Sequence, residues 1–194
     1  MKKKILFRIG GAALIATMVS GSGIRHYSTE GPNTTVAKAA IQQQLESALK
    51  ESVQIIPTTA VPLSVNSALS TTTVSQMTAT HNALLSQLFT ANSPDVSEQK
   101  WGYNNGLHAI TYERNTAMTF SKFTYTSTSF INNNTTADVS FTALTSTTRQ
   151  WRPLTTSAWE TVHLPANWLG SATLKYNQGH WLISTLYLTT TASG

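Results

Sequence analysis

Two hydrophobic periods divide the chain: apolar residues recur at helical spacing through its first half and alternate with polar ones from residue 107 onward. Ile41, Leu45, Ala48, Leu49, Val53 and Ile56, separated by Gln42, Gln43, Gln44, Glu46, Lys50 and Glu51, predict a helix over 36–56 that Pro57 stops. Glu46 and Lys50 stand at i, i+4 in the favourable order. A second stripe, Val74, Met77, His81, Leu84, Leu85 and Leu88 with Phe89 near its end, predicts a helix over 73–91. Thr73-Val74-Ser75-Gln76 has capping-box spacing at its start, and Asn92-Ser93-Pro94 ends it. Between the two helices, 58–72 is a polar connection containing Pro62. Residues 94–106 suggest one further short helix carrying Val96 and Trp101, broken by Asn104-Asn105-Gly106.

Alternation then predicts strands over 107–113, 117–131 and from 137 onward. Apolar parity changes between Phe120 and Phe123, the mark of a bulge or bend. Asn132-Asn133-Asn134 is a turn tolerant of positive φ, and Ala137, Val139, Phe141 and Ala143 then alternate with Asp138, Ser140 and Thr142. Residues 149–170 read as a long loop. The closing hairpin sets Ala172, Leu174 and Tyr176 before a three-residue turn, Asn177-Gln178-Gly179, and returns over 181–188. Trp181 and Ile183 oppose Leu182 and Leu186 in parity, which predicts a central strand covered on both faces.

Helices followed by a run of strands mean an α+β domain with helices packed on one face of an antiparallel sheet. Three stretches resemble the NTF2-like superfamily, in its extracytoplasmic bacterial form. They are Leu84-Leu85-Ser86-Gln87-Leu88-Phe89-Thr90, the hairpin through Asn132 to Ala137-Asp138-Val139, and the closing segment from Leu174 through Gly179-His180-Trp181-Leu182-Ile183. The resemblance covers about 36–190 and implies a strongly curved sheet wrapped around helices, a cone with a pocket at its mouth. It implies no single activity, because that fold hosts enzymes, transport factors and accessory domains. The alternative is an all-β, Thr-rich sandwich, which would lack both helices; thirty-two threonines keep it open.

Composition enters through its distribution. The 194 residues carry a net charge of +5 and no cysteine. Lys2, Lys3, Lys4, Arg8 and Arg25 precede every acidic residue, so beyond Arg25 eight bases balance eight acids and the domain is neutral. That removes the argument for nucleic-acid binding, which needs basic residues on the folded part. Residues 1–23 read as a signal peptide or N-terminal anchor: the lysines, an apolar run from Ile9 to Val19, then Ser20-Gly21-Ser22-Gly23. The run is shorter than the ~20 residues a helix needs to span a bilayer. A linker over 24–35, one domain over 36–190 and a tail over 191–194 complete the organisation, and the expected location is extracytoplasmic, secreted or anchored. Without disulfides, the domain depends on its own core.

Candidate chemistry is sparse. Tyr112, Asp138 and His180 are the pocket candidates for acid–base work, beside His108 and Glu113, but no spacing forces any pair together. His81 falls on an apolar stripe with no second ligand at i+4, and GxSxG, phosphate-loop and HExxH patterns are absent, so no metal and no cofactor is expected. Trp151, Arg152, Trp159 and Trp168, set in the expected loop, are the candidates for contact with a partner protein or glycan. The function these features favour is a non-enzymatic binding or assembly module whose partner is a cell-envelope protein or glycan. A small-molecule-binding or acid–base enzyme using the pocket, and a structural surface protein, are the alternatives.

Overall fold

The computed structural model describes residues 31–56, 69–109, 112–152 and 158–192. The expected leader and most of the connection between the first two helices lie outside them. Three helices, α1 (Thr34–Ser52), α2 (Thr71–Leu88) and α3 (Asp95–Ala109), precede four strands, β1 (Glu113–Ile131), β2 (Thr136–Trp151), β3 (Glu160–Asn177) and β4 (His180–Ala192). The strands form one open antiparallel sheet in the order β1-β2-β3-β4. This is the α+β arrangement that the NTF2-like resemblance implies, and the three helices exclude the all-β sandwich.

The sheet has one covered face. Ala137, Val139, Phe141 and Ala143 of β2, Ala172 and Leu174 of β3, and Trp181 and Ile183 of β4 join Ile41, Leu45, Ala48, Leu49, Leu85, Leu88 and Phe89 of the α1 and α2 region in one core. Asp138 and Leu144, at the other parity of β2, are exposed. On the core face Phe141 pairs with Gly170, and a Cβ added at Gly170 would overlap the Phe141 ring. A smaller cluster of Ile56, Met77, Tyr103 and Leu107 joins the three helices beside that core.

Local chemistry sets the ends of these elements. Asn33 caps α1 by accepting from Thr35 N and Val36 N, and Ser70, not Thr73, caps α2 by accepting from Thr73 N. α1 stops at Ser52, before Pro57, because Gln54 turns to φ +55° and Ile55 bridges to Asn115. Asn132, Asn133 and Asn134 all take positive φ in the β1–β2 turn. β1 carries three register shifts, one of them between Phe120 and Lys122, where the parity changes.

Four expectations are corrected. Residues 107–109 are helical rather than the start of a strand: α3 runs through Asn104-Asn105-Gly106, with Tyr103 and Leu107 at i, i+4 burying against Ile56 and Met77. Of the expected loop over 149–170, residues 149–151 end β2 and 160–170 belong to β3. The final turn has two residues, since Asn177 pairs with His180 and both Gln178 (φ +49°) and Gly179 (φ +91°) are left-handed. β4 is an edge strand, not a central one. Thr173 pairs with Thr185 but Leu174 with Ile183, so Ser184 is an inserted residue that returns Leu186 to the face of Ile183.

Pro165 explains why β3 was hard to read. A two-residue hairpin closes on a hydrogen-bonded pair, so Asn177 and every odd residue of β3 aim their backbone groups toward β4. Tyr176 N, of the other parity, donates to Thr135 O on the β2 side. Pro165 therefore aims its donor-less nitrogen away from β2, beyond the last described β3–β4 pair, Ala166 with Ala192. A proline is tolerated there without loss to the ladder.

Candidate functional site

The core face is not covered to its margin. Between α3, the end of α1 and the β3–β4 face lies a cleft of about 430 Å³, lined by Ser52 and Gln54, by Asp95, Glu98, Gln99 and Gly102, and by Trp168, Leu186, Tyr187 and Leu188. Trp168, half-buried, donates its Nε1–H to Thr145 Oγ1 at 2.9 Å, which fixes the ring in one orientation. Asp95 Oδ2 accepts from Leu186 N at 2.9 Å and from Ser93 Oγ at 3.2 Å, so this carboxylate holds the strand beside the bulge. Glu98 is exposed at the rim. The side chain of Gln54 lies against α3 at Gly102 and Gly106, where a Cβ at Gly106 would collide with it.

The electrostatics of the lining are one-sided. Among the described residues it contains two carboxylates and no Lys, Arg or His. Among the described residues neither Asp95 nor Glu98 has an ion-pair partner. Both sit in the first turn of α3, where the helix dipole favours a negative charge.

The aromatic residues singled out from the sequence separate into two places. Trp151 ends β2 opposite Glu160, whereas Trp168 pairs with Ala143, eight residues earlier in β2. At ~3.4 Å per residue that separation is about 27 Å. Trp159 stands with Arg152 instead, its ring under the guanidinium of Arg114 at 4.4 Å and of Arg152 at 5.5 Å. Burial lowers the pKa of Arg114. Of the four residues proposed for partner contact, Trp168 alone lines the cleft.

Tyr112, Asp138 and His180 are all exposed and none lines the cleft. Asp138 lies on the outer sheet face in a shallow groove and accepts from Thr173 Oγ1 at 2.6 Å. His180 sits at the β3–β4 turn. Glu113 pairs with Arg149 at 3.1 Å, and His108 is carried by α3, its side chain outside the described set. Sequence reasoning missed Gln54, Asp95, Glu98, Gln99, Leu186 and Leu188. The acids of 95 and 98, three apart behind Ser93-Pro94, were the available signal.

A second polar cluster is sealed between the helices. His81 Nδ1 of α2 and Glu51 Oε2 of α1 are 2.7 Å apart, and Tyr103 of α3 stacks on the imidazole with ring centroids 3.9 Å apart and planes 6° from parallel. His81 is 4% exposed. Burial, and secondarily the charge of Glu51, raises the Tyr103 pKa to about 12. Among the described residues no three His, Asp or Glu side chains converge as a metal site would need, and no helix is long and apolar enough to cross a membrane.

No family model and no curated protein matches the chain. Among solved structures it is similar to the intermembrane space region of the chloroplast protein ARC6, with 12% identity, a TM-score of 0.44, and coverage of 84% of this chain and 99% of that one. A scytalone dehydratase-like protein of Novosphingobium aromaticivorans gives 16% identity and a TM-score of 0.40 over 81% and 86%. A hexachlorocyclohexane dehydrochlorinase, LinA type 2, gives 11% and 0.40 over 83% and 93%.

Proposed function

We propose that this chain is an extracytoplasmic binding or assembly module, released or tethered by its N-terminal segment, that takes its ligand in the cleft between α3 and the β3–β4 face. The observation that carries this reading is the fixed lining: Trp168 is pinned by Thr145 and Asp95 by Leu186, so a ligand meets a wall already in place. The same fixing disfavours acid–base work in the cleft. Asp95 Oδ2 is occupied by the β4 backbone, and no imidazole stands among the described lining residues. Among the described residues the one His–carboxylate pair, His81 with Glu51, is sealed among helices. The basic, apolar leader ahead of a neutral, cysteine-free domain supports export.

The test is binding of the purified domain to the envelope fraction of the producing cell. Trp168→Leu removes the aromatic wall, and Gln99→Trp narrows the mouth without touching the core. Both should abolish retention, while Trp151→Ser, at the far end of the sheet, should retain it. Full retention by a folded Gln99→Trp protein would sink the assignment of the cleft.

A further inference from the structure

We infer that the ligand of this cleft presents a cation, an alkylammonium or guanidinium group, seated against the Trp168 ring and facing Glu98; this rests on the binding-cleft reading above. The cleft is charged although the domain is not. Beyond Arg25 bases and acids balance, yet the lining holds Asp95 and Glu98 and, among the described residues, no basic side chain. The two acids are not equivalent. Asp95 is held by Leu186 N and Ser93 Oγ, and its charge acts as a fixed background. Glu98 has no ion-pair partner among the described residues and stands at the rim with its carboxylate available.

Trp168 makes the selection independent of the acids. Its indole is locked through Nε1, so the ring contributes its π surface and not its donor to anything in the cleft. An indole face attracts Lys- or Arg-type cations and does nothing for a carboxylate or phosphate. Leu186 and Leu188 offer contact for an alkyl stem, and the side-chain carbonyl of Gln99 can accept from an N–H group at its head. About 430 Å³ lies in the range of small-ligand sites and accommodates a lysine- or arginine-like chain. An anion would face two uncompensated carboxylates. Arg114, Arg149 and Arg152 are not among the described lining residues: Arg114 and Arg152 are gathered on Trp159, and Arg149 pairs with Glu113.

The indole N–H resonance of Trp168, identified by its loss in Trp168→Phe, reports occupancy in the full-length mature domain. N-acetyl-lysine methylamide, N-acetyl-arginine methylamide and n-butylammonium are titrated against the neutral N-acetyl-(ε-acetyl)lysine methylamide and against maltotriose. The cationic probes should shift the resonance saturably, the neutral ones at least about tenfold more weakly, and Glu98→Gln should weaken the cations by about tenfold, the loss of one charge-assisted contact. Tighter binding by the peptide models than by butylammonium points to a protein side chain as the source, and equal binding to a free amine. If maltotriose or the acetylated probe binds as tightly as lysine, the cleft binds ligands and the cation is wrong. If no probe moves the resonance at millimolar concentration, the binding-cleft reading itself is overturned.

Discussion

His81 of α2 and Glu51 of α1 meet at 2.7 Å beneath the ring of Tyr103, so the three helices are joined by one polar contact inside an otherwise apolar cluster. His81 Nε2 is buried with no hydrogen-bond partner among the described residues. The imidazole is therefore held through one nitrogen and one face. Removing a single member leaves the other desolvated, which is costlier than removing both. His81→Phe should destabilise the domain by about 2–4 kcal/mol in urea melts, since it leaves the Glu51 carboxylate without its partner. The double variant His81→Phe/Glu51→Met should recover at least half of that loss. Additive losses would show that the pair contributes nothing as a pair.

Tyr103 gives the same cluster a pH signature. Burial and then Glu51 raise its pKa to about 12, above the ~10 of an unfolded tyrosine. The folded state therefore holds this proton more tightly, so the contribution is fully present below pH 10 and is lost as pH rises through 12. It amounts to roughly 2–3 kcal/mol. Tyr125, raised by its burial and then by Glu46, shares the direction and donates its hydroxyl to Lys38 O at 2.7 Å. Denaturant melts at pH 9 and 11.5 should show wild type losing stability relative to Tyr103→Phe. A constant difference between the two proteins would refute the shift.

Gly170 tests how tightly the sheet is packed. The Phe141 ring occupies the space a side chain at Gly170 would need, and Phe141 is 1% exposed. The ring cannot turn to solvent. Gly170→Ala should cost about 1–3 kcal/mol through overpacking, outweighing the gain in strand propensity. Combining it with Phe141→Leu, which vacates part of that space, should cost less than the two single changes added. Thermal melts decide between these outcomes.

The core was legible where one period ran undisturbed. Ile41 to Leu49, Met77 to Leu88 and Ala137 to Ala143 bury on the faces that their spacing predicts, because one buried stripe is what such spacing produces. Reading failed at insertions and at geometry that only pairing creates. Ser184 places Leu186 on the face of Ile183, so a strand covered on one face shows apolar residues at both parities. Pro165 looks like loop until the hairpin parity aims its nitrogen away from β2. Asn104-Asn105-Gly106 looks like a break, yet Gly106 gives the Gln54 side chain room against α3. The cleft was hidden for the same reason. Gln54, Glu98 and Trp168 meet only after α3 is extended and 160–170 is seen as strand.

Asp95 joins the cleft to the edge of the sheet. Among the described residues β4 has no further strand beside it, and the stretch from Phe89 to the start of α3 covers part of that edge: Thr90 N donates to Ile183 O, Phe89 bridges Ile183, and Asp95 accepts from Leu186 N. The three contacts straddle Ser184, where the bulge interrupts pairing with β3. Without Asp95, Leu186 N at an interrupted edge loses a charge-assisted acceptor, worth about 1.5–3 kcal/mol. Asp95→Ala should therefore speed amide exchange at Leu186 by tenfold or more, since 1.4 kcal/mol corresponds to a factor of ten. Exchange at Leu174, inside the ladder, should change only with global stability. Asp95→Asn keeps an acceptor oxygen and should restore most of the protection, which separates the hydrogen bond from the charge. Unchanged exchange at Leu186 in Asp95→Ala would mean that the strand is held by Thr90 and Phe89 alone.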